Sequence, residues 1–474
     1  MLFNSLEFLI FFPSVLLLYF LLPHAYRWIL LLGASCLFYM FFIPKYILIL
    51  FVTIIIDYFA GIYIARNEGR RKKIWLVASI ISTCVVLIVF KYFNFFIDNI
   101  NTVFTVAGKP LHLRHWDIIL PIGLSFHTFQ SLSYVVEVYR GNQKPETHFG
   151  IYSLYVMFFP QLVAGPIERP QNILHQFYEK HQFSYANLSQ GLRMMIWGFF
   201  KKVVIADNLG QIIDPVFSAP HTLNAGWLAL GSALFAIQIY CDFSGYSDIA
   251  IGSAKTMGYT LMENFRFPYI SQSIREFWSR WHISLSTWFR DYVYIPMGGN
   301  RVSETRKSVN LASVFALSGF WHGANWTFII WGALHGIYLV IEGRIKNHLP
   351  PLPQTRLTRI FITAFIFVLV TIGWVFFRAN SVSDALSMLY RISIWAPLQG
   401  DLPLALSNIH PYYLNFLMGV TICFLAFDVY MSKLSRNEKP APFKQANMIL
   451  NALVIALIAL FGFWGKVQFI YFQF

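Results

Sequence analysis

Long apolar runs separated by short polar turns recur along the whole chain. A helix that crosses a bilayer needs roughly 20 mostly apolar residues. Stretches at about 6–22, 27–42, 44–65, 74–90, 360–377, 412–430 and 449–463 come near that length. Residues 91–116 are mixed in character and are expected to be external, and 386–394 read as a shorter helix. The pattern predicts an all-α polytopic membrane protein with about ten to twelve membrane segments, some of them incomplete.

Four stretches break that pattern. Residues 158–167 read FFPQLVAGPI, and two prolines with a glycine among apolar residues predict a re-entrant or irregular segment. A helix predicted over about 190–205 carries Lys201 and Lys202, and the apolar run from Trp227 leads into Asp242 and Asp248. Residues 272–294 place Arg275, Trp278, His282 and Ser286 at helical spacing and add Arg280, Arg290 and Asp291, so this segment predicts an amphipathic helix at the interface or lining a cavity. Residues 309–341 hold no Asp, Glu, Lys or Arg, too long a run for one straight crossing and short for two. Gly319 and Gly323 bracket its polar middle, so a span, a break beside His322 and a second span are expected. Broken backbone at membrane depth is tolerated where protein buries it or where it lines a watery cavity. A histidine there is a site hypothesis by default.

Composition agrees with the pattern. The chain is 57% hydrophobic and 12% charged, against about 25% charged in soluble domains. The net charge of +14 reads as cationic loops that fix topology and meet anionic headgroups, not as a nucleic-acid surface. The basic loop 66–73 is expected on the cytoplasmic side, as is 301–307. Counting back three crossings puts the N-terminus outside. The first apolar run lacks a basic n-region and a cleavage site and reads as a retained helix. The four cysteines form no CxxC and read as small buried hydrophobes. A single membrane-embedded domain over 1–474 is expected, with its candidate functional core at about 118–345.

Walker A, HExxH and GxSxG motifs are absent, and no metal site is expected. Asp57, Glu137, Asp242 and Asp248 are isolated in sequence and read as structural acids. His24, His127 and His335 read as ordinary core or interface residues. His322 reads otherwise. It is flanked by Trp321 and followed by Asn325, which can hydrogen-bond the ring or a developing oxyanion. Apolar surroundings favour an uncharged imidazole, the form that takes a proton from a hydroxyl or attacks an acyl carbon. On these residues alone a membrane transporter or flippase with a histidine proton relay stays open beside an enzyme.

The runs RWHISLSTWFRDYVYIPMGG (280–299), FWHGANW (320–326), FPQLVAGPI (159–167) and DFSGYSD (242–248) resemble the membrane-bound O-acyltransferase family. The resemblance is to its bacterial branch of alginate, peptidoglycan and cellulose O-acetylation and teichoic-acid D-alanylation subunits. It implies a helical body with a central tunnel, His322 as central catalytic histidine and His282 as its companion. It also implies transfer of an acyl group, acetyl above all, from a cytoplasmic thioester to a hydroxyl of an extracytoplasmic polysaccharide or of a partner transferase. The donor would be acetyl-CoA or a carrier-protein thioester, with no permanently bound cofactor. D-alanyl transfer from a carrier to teichoic acid is the alternative. Trp278, Trp281 and Arg280 are expected to line the donor path, with Trp321 and Asn325 near the substrate. The expected setting is a bacterial inner membrane, beside a periplasmic or membrane-tethered acetyltransferase.

Overall fold

A computed structural model of the chain describes residues 1–109, 111–118, 120–348, 353, 355–400, 402–436, 448–464 and 470. Every regular element among the described residues is a helix. The chain divides into two compact units, residues 1–195 with 249–262, and residues 196–248 with 263–474.

The first unit holds α1 (Leu6–Leu21), α2 (His24–Met40), α3 (Ile47–Arg66), α4 (Gly69–Leu87), α5 (Phe93–Val106), α6 (Leu124–Arg140) and α7 (Phe149–Met157). Two single-turn helices follow, α8 (Phe159–Leu162) and α9 (Pro170–Ile173), and α10 (Tyr185–Phe199) begins here. Residues 158–167 are short, irregular and wholly buried, as the prolines predicted. Asp57 of α3 is buried and accepts from the hydroxyls of Ser79 (2.5 Å) and Thr83 (3.2 Å) on α4. A carboxyl buried in an apolar unit costs several kcal/mol unless it finds partners, and these hydroxyls supply them. In the mixed stretch 91–116 the helix continues, after a π-turn at Ile88–Tyr92, to Val106. The amphipathic period of α5 explains why mixed composition there does not mean loop.

The second unit receives the end of α10, a π-turn at Phe200–Ala206, α11 (Asp207–Ser218) and most of α12 (Ala225–Thr256). It continues with α13 (Ile274–Arg280), α14 (Ile283–Phe289), α15 (Glu304–His322), α16 (Trp326–His348) and α17 (Arg356–Arg378). It ends with α18 (Val382–Ser393), α19 (Leu404–Ser407), α20 (Pro411–Arg436) and α21 (Met448–Phe461). Its core is rich in aromatics, among them Phe277, Trp281, Trp331 and Trp374. Lys202 lies inside it, 2.7 Å from Asp207 and 2.5 Å from Asp242, while Lys201 pairs with Asp248 at 2.6 Å. Buried ammonium groups need such partners. Asp57, Asp242 and Asp248, isolated in the sequence, thus each have a buried partner.

Among the described residues six helices are long and apolar enough to cross a membrane: Pro44–Arg66, Gly69–Val106, Ala225–Thr256, Trp326–Lys346, Arg356–Arg378 and Pro411–Lys433. Leu6–Leu21 and Leu450–Phe461 are apolar but shorter. Of the cysteines Cys241 is buried, whereas Cys423 on α20 is exposed, contrary to the expectation of burial for all four.

Candidate active site

The site is built on a helical hairpin. Ser303 caps α15, accepting from the Arg306 N–H (3.4 Å). His322 is the last residue of α15, and Gly323 then leaves the helix with extended backbone (φ −160°, ψ 150°). Three residues later α16 turns back, so the break expected from the glycines is a hairpin tip. The two helices touch backbone to backbone. A Cβ on Gly319 would run into the Phe328 carbonyl, one on Gly332 into the Phe315 carbonyl, and one on Gly336 would stand 3.0 Å from the Ala312 Cα. Small residues allow this approach in membrane hairpins. At the tip, the Asn325 Oδ1 accepts from the Thr327 N–H (3.0 Å) and its Nδ2 donates to the Asn380 carbonyl (3.1 Å). Asn325 thus starts α16 as its capping residue and ties the tip to the end of α17.

The His322 ring is buried in an aromatic collar. Trp321 (4.8 Å between centroids), Trp331 (5.0 Å) and Phe377 (5.4 Å) present edges or faces to it. His282 has a different surrounding. It lies between α13 and α14 with left-handed backbone (φ 44°), against Phe243 (4.6 Å) and Phe265 (6.4 Å). Its Nδ1 is 3.1 Å from the Asn264 side-chain oxygen. Burial pushes the His282 imidazolium down to a pKa of about 3, so the ring is neutral. A run of rings, Phe265, Trp281, Trp374 and Trp331, leads from the His282 pocket to His322, with successive centroids 4.9–5.7 Å apart.

A cavity of about 440 Å³ opens beside α15. It is walled by Trp278 and Ser279 of α13, Ile283, Leu285, Ser286 and Thr287 of α14, and Leu311, Val314, Phe315 and Ser318 of α15. Arg275, Arg290 and Lys307 also line it. A second cavity of about 430 Å³ shares Arg275, Lys307, Leu311 and Leu339 with the first and adds Arg344, Lys346 and His348. Leu311, Val314/Phe315 and Ser318 follow one face of α15 at helical spacing, and His322 is the next residue on that face. One turn of helix, about 5.4 Å of rise, separates Ser318 from it. An apolar chamber with a cationic annex therefore ends one turn short of a buried imidazole. Such an arrangement can receive a long, flexible molecule with an anionic head and bring its far end toward a base.

The membrane-bound O-acyltransferase family profile matches residues 143–382, which include this hairpin, both histidines and the inner cavity. The chain is 43% identical over 394 residues to a probable alginate O-acetylase of Pseudomonas aeruginosa, covering 82% of this chain and 74% of that one. It is 42% identical over 393 residues to the probable alginate O-acetylase of Azotobacter vinelandii (82% and 77%). With a peptidoglycan O-acetyltransferase of Helicobacter pylori it shares 38% over 389 residues (76% and 72%). The chain belongs to the membrane-bound O-acyltransferase family. It is an O-acyltransferase and a multi-pass membrane protein, which removes the transporter reading that broken helices alone left open.

Within this acyltransferase the residues singled out in the sequence fall into three places. Trp278 lines the cavity, whereas Trp281 is packed in the aromatic core against Trp374. Arg280 pairs with Glu276 (2.8 Å) and donates to the Arg266 carbonyl (3.0 Å). Trp321 and Asn325 sit at the hairpin tip with His322. The amphipathic helix expected over 272–294 is in fact broken at Trp281–His282. The reason is Asn264, whose side-chain oxygen accepts from the Ser284 N–H (3.3 Å) and hydroxyl (2.9 Å) and so starts a new helix. Sequence reasoning missed Asn264 and Ser318, placed Lys307 only within the basic loop 301–307, and read His335 as an ordinary core or interface residue. For Ser318 a signal existed, its place four residues before His322. For Asn264 there was none, because its partner is eighteen residues away across a loop.

Proposed function

We propose that this acyltransferase moves an acetyl group from a cytoplasmic thioester to a hydroxyl of an extracytoplasmic polysaccharide or of a partner transferase. The observation that carries this reading is the position of His322 one turn beyond Ser318, on the α15 face that walls the cavity. The cavity suits the arm of a thioester. The annex with Arg275, Lys307, Arg344 and Lys346 suits the phosphates of coenzyme A or the acidic surface of a carrier protein. Lys307 belongs to the basic loop that the positive-inside rule assigns to the cytoplasm, which makes this the donor side. The same rule puts the N-terminus outside, in a bacterial inner membrane. Relatives named as O-acetylases and an O-acetyltransferase favour acetyl over D-alanyl.

In this reading His322 takes the proton of the acceptor hydroxyl. The oxygen attacks the thioester carbonyl, the C–S bond breaks, and the leaving thiolate receives the proton from the imidazolium. If His322 itself attacks first, an acyl-imidazole precedes the same products. His282 orients the donor carbonyl or stabilises its developing charge. The test is His322→Ala in the full-length protein, reconstituted in membranes with radiolabelled acetyl-CoA and, separately, an acetylated carrier. Loss of label transfer by at least about a hundredfold, with normal insertion, is expected for a general base. Retained transfer in that variant refutes the assignment.

A further inference from the structure

His335 looks in sequence like an ordinary core histidine on α16. In the structure it is fully buried, two helical turns before Glu342 on the same helix. Both residues hold α13. The Glu342 carboxylate accepts from the N–H groups of Ile274 (2.6 Å) and Arg275 (3.2 Å) at the start of α13. The His335 Nδ1 accepts from the indole N–H of Trp278 near its end (3.3 Å). An indole nitrogen can only donate, so the hydrogen bond assigns the lone pair to Nδ1 and the proton to Nε2. On the far side of the ring α17 comes close at Gly373, where a Cβ would stand 2.9 Å from Nε2. The imidazole thus lies between α13, to which it is hydrogen-bonded, and α17.

What it holds is a wall. Trp278 lines the inner cavity, packs on Trp331 (5.7 Å), and Trp331 in turn packs on His322 (5.0 Å). The order from chamber to imidazole is Trp278, Trp331, His322. His335 touches both of the intervening rings, at 5.0 and 5.3 Å.

We propose that His335 is a positioning residue for the acyl donor: through its hydrogen bond to Trp278 it fixes the indole that closes the cavity toward His322, and so fixes where the thioester comes to rest. This rests on the reading of the cavity as the donor site. Without an acceptor, the Trp278 N–H is a buried unsatisfied donor, and the indole is driven to turn in search of one. The wall then moves, and the donor loses its seat without any change in the groups that carry out the chemistry.

The test uses the full-length purified protein and acetyl-CoA as probe, with binding and melting temperature measured together. His335→Phe keeps a ring and removes the acceptor; His335→Gln keeps an acceptor; Trp278→Phe removes the donor. Acetyl-CoA binding is expected to weaken up to about tenfold in His335→Phe and equally in Trp278→Phe, the upper end for one neutral hydrogen bond. The double variant is expected to be no weaker than either, and His335→Gln to recover most of the loss. A residue with a merely structural role lowers melting without this pattern. Binding of His335→Phe within twofold of the parent, equal loss in His335→Gln, or additive losses in the double variant overturns the inference. If His335→Phe does not fold, Trp278→Phe against His335→Gln carries the same comparison. Absence of acetyl-CoA binding by the parent protein refutes the donor reading for coenzyme A, and this inference with it. Parent binding that weakens in Lys307→Ala but not in His335→Phe refutes the inference alone.

Discussion

The side-chain oxygen of Asn264 stands 3.1 Å from Nδ1 of His282. The same atom accepts from the Ser284 N–H, which identifies it as the oxygen of the amide. An oxygen acceptor requires the proton on Nδ1, so Nε2 of His282 carries the lone pair. Asn264 therefore sets the tautomer of this histidine and starts α14 at once.

Replacing Asn264 with Leu removes both functions. The expected cost is about 1–3 kcal/mol of stability from the buried groups left unsatisfied, together with a fall in turnover that Asn264→Gln does not fully repair, because the longer side chain displaces the oxygen. Melting in detergent and acyl-transfer rates check this. Unchanged turnover in a folded Asn264→Leu protein would remove His282 from the mechanism.

Acid should weaken the fold through the same histidine. Its folded pKa, about 3, lies below the unfolded value of about 6.5. The unfolded chain therefore binds the proton first as pH falls. The stability contributed by neutral His282 is complete above about pH 6.5 and is lost progressively as pH drops toward 3, with a slope of at most about 1.4 kcal/mol per pH unit. His282→Gln is expected to show a shallower decline of melting temperature over that window.

The Lys202 ammonium lies between Asp207 and Asp242, all three buried. Lys202→Met leaves two uncompensated carboxylates, and a loss of about 3–5 kcal/mol is expected. Adding Asp207→Leu and Asp242→Leu to that variant should recover much of it, since apolar side chains replace buried ion pairs at little net cost. Yield of folded protein and thermal melting distinguish these outcomes.

The hairpin glycines differ sharply from Gly33 of α2. Gly332→Val drives a side chain into the Phe315 carbonyl and is expected to abolish folding or activity, whereas Gly33 in α2 has nothing within 4 Å of an added Cβ. Gly33→Ala should be neutral or stabilise by up to about 1 kcal/mol. Expression and turnover of the two variants side by side make the comparison.

Apolar periodicity located most helices, and the glycines around His322 correctly marked a break. Local patterns carry that much because a span and its interruption are properties of adjacent residues. Helical spacing failed at 281–282, where Asn264 stops one helix and starts another from outside the segment. The hydrogen bond of His335, read as an ordinary core or interface residue, was hidden for a similar reason. Nothing in its neighbours Leu334 and Gly336 indicates that Trp278, fifty-seven residues earlier, donates to it. The cavity likewise gathers side chains from α13, α14, α15 and α16, and no single window of sequence contains it.

The contact of Gly319 and Gly332 at the level of main chain has a further meaning for how such an enzyme can change. His322 takes its coordinates from two backbones that leave no slack, so its ring stays put whatever surrounds the chamber. The opposite wall, on α13 and α14, is made of side chains. The shape of the chamber can therefore change by substitution, one ring or one hydroxyl at a time, while the histidine at the hairpin tip keeps its place.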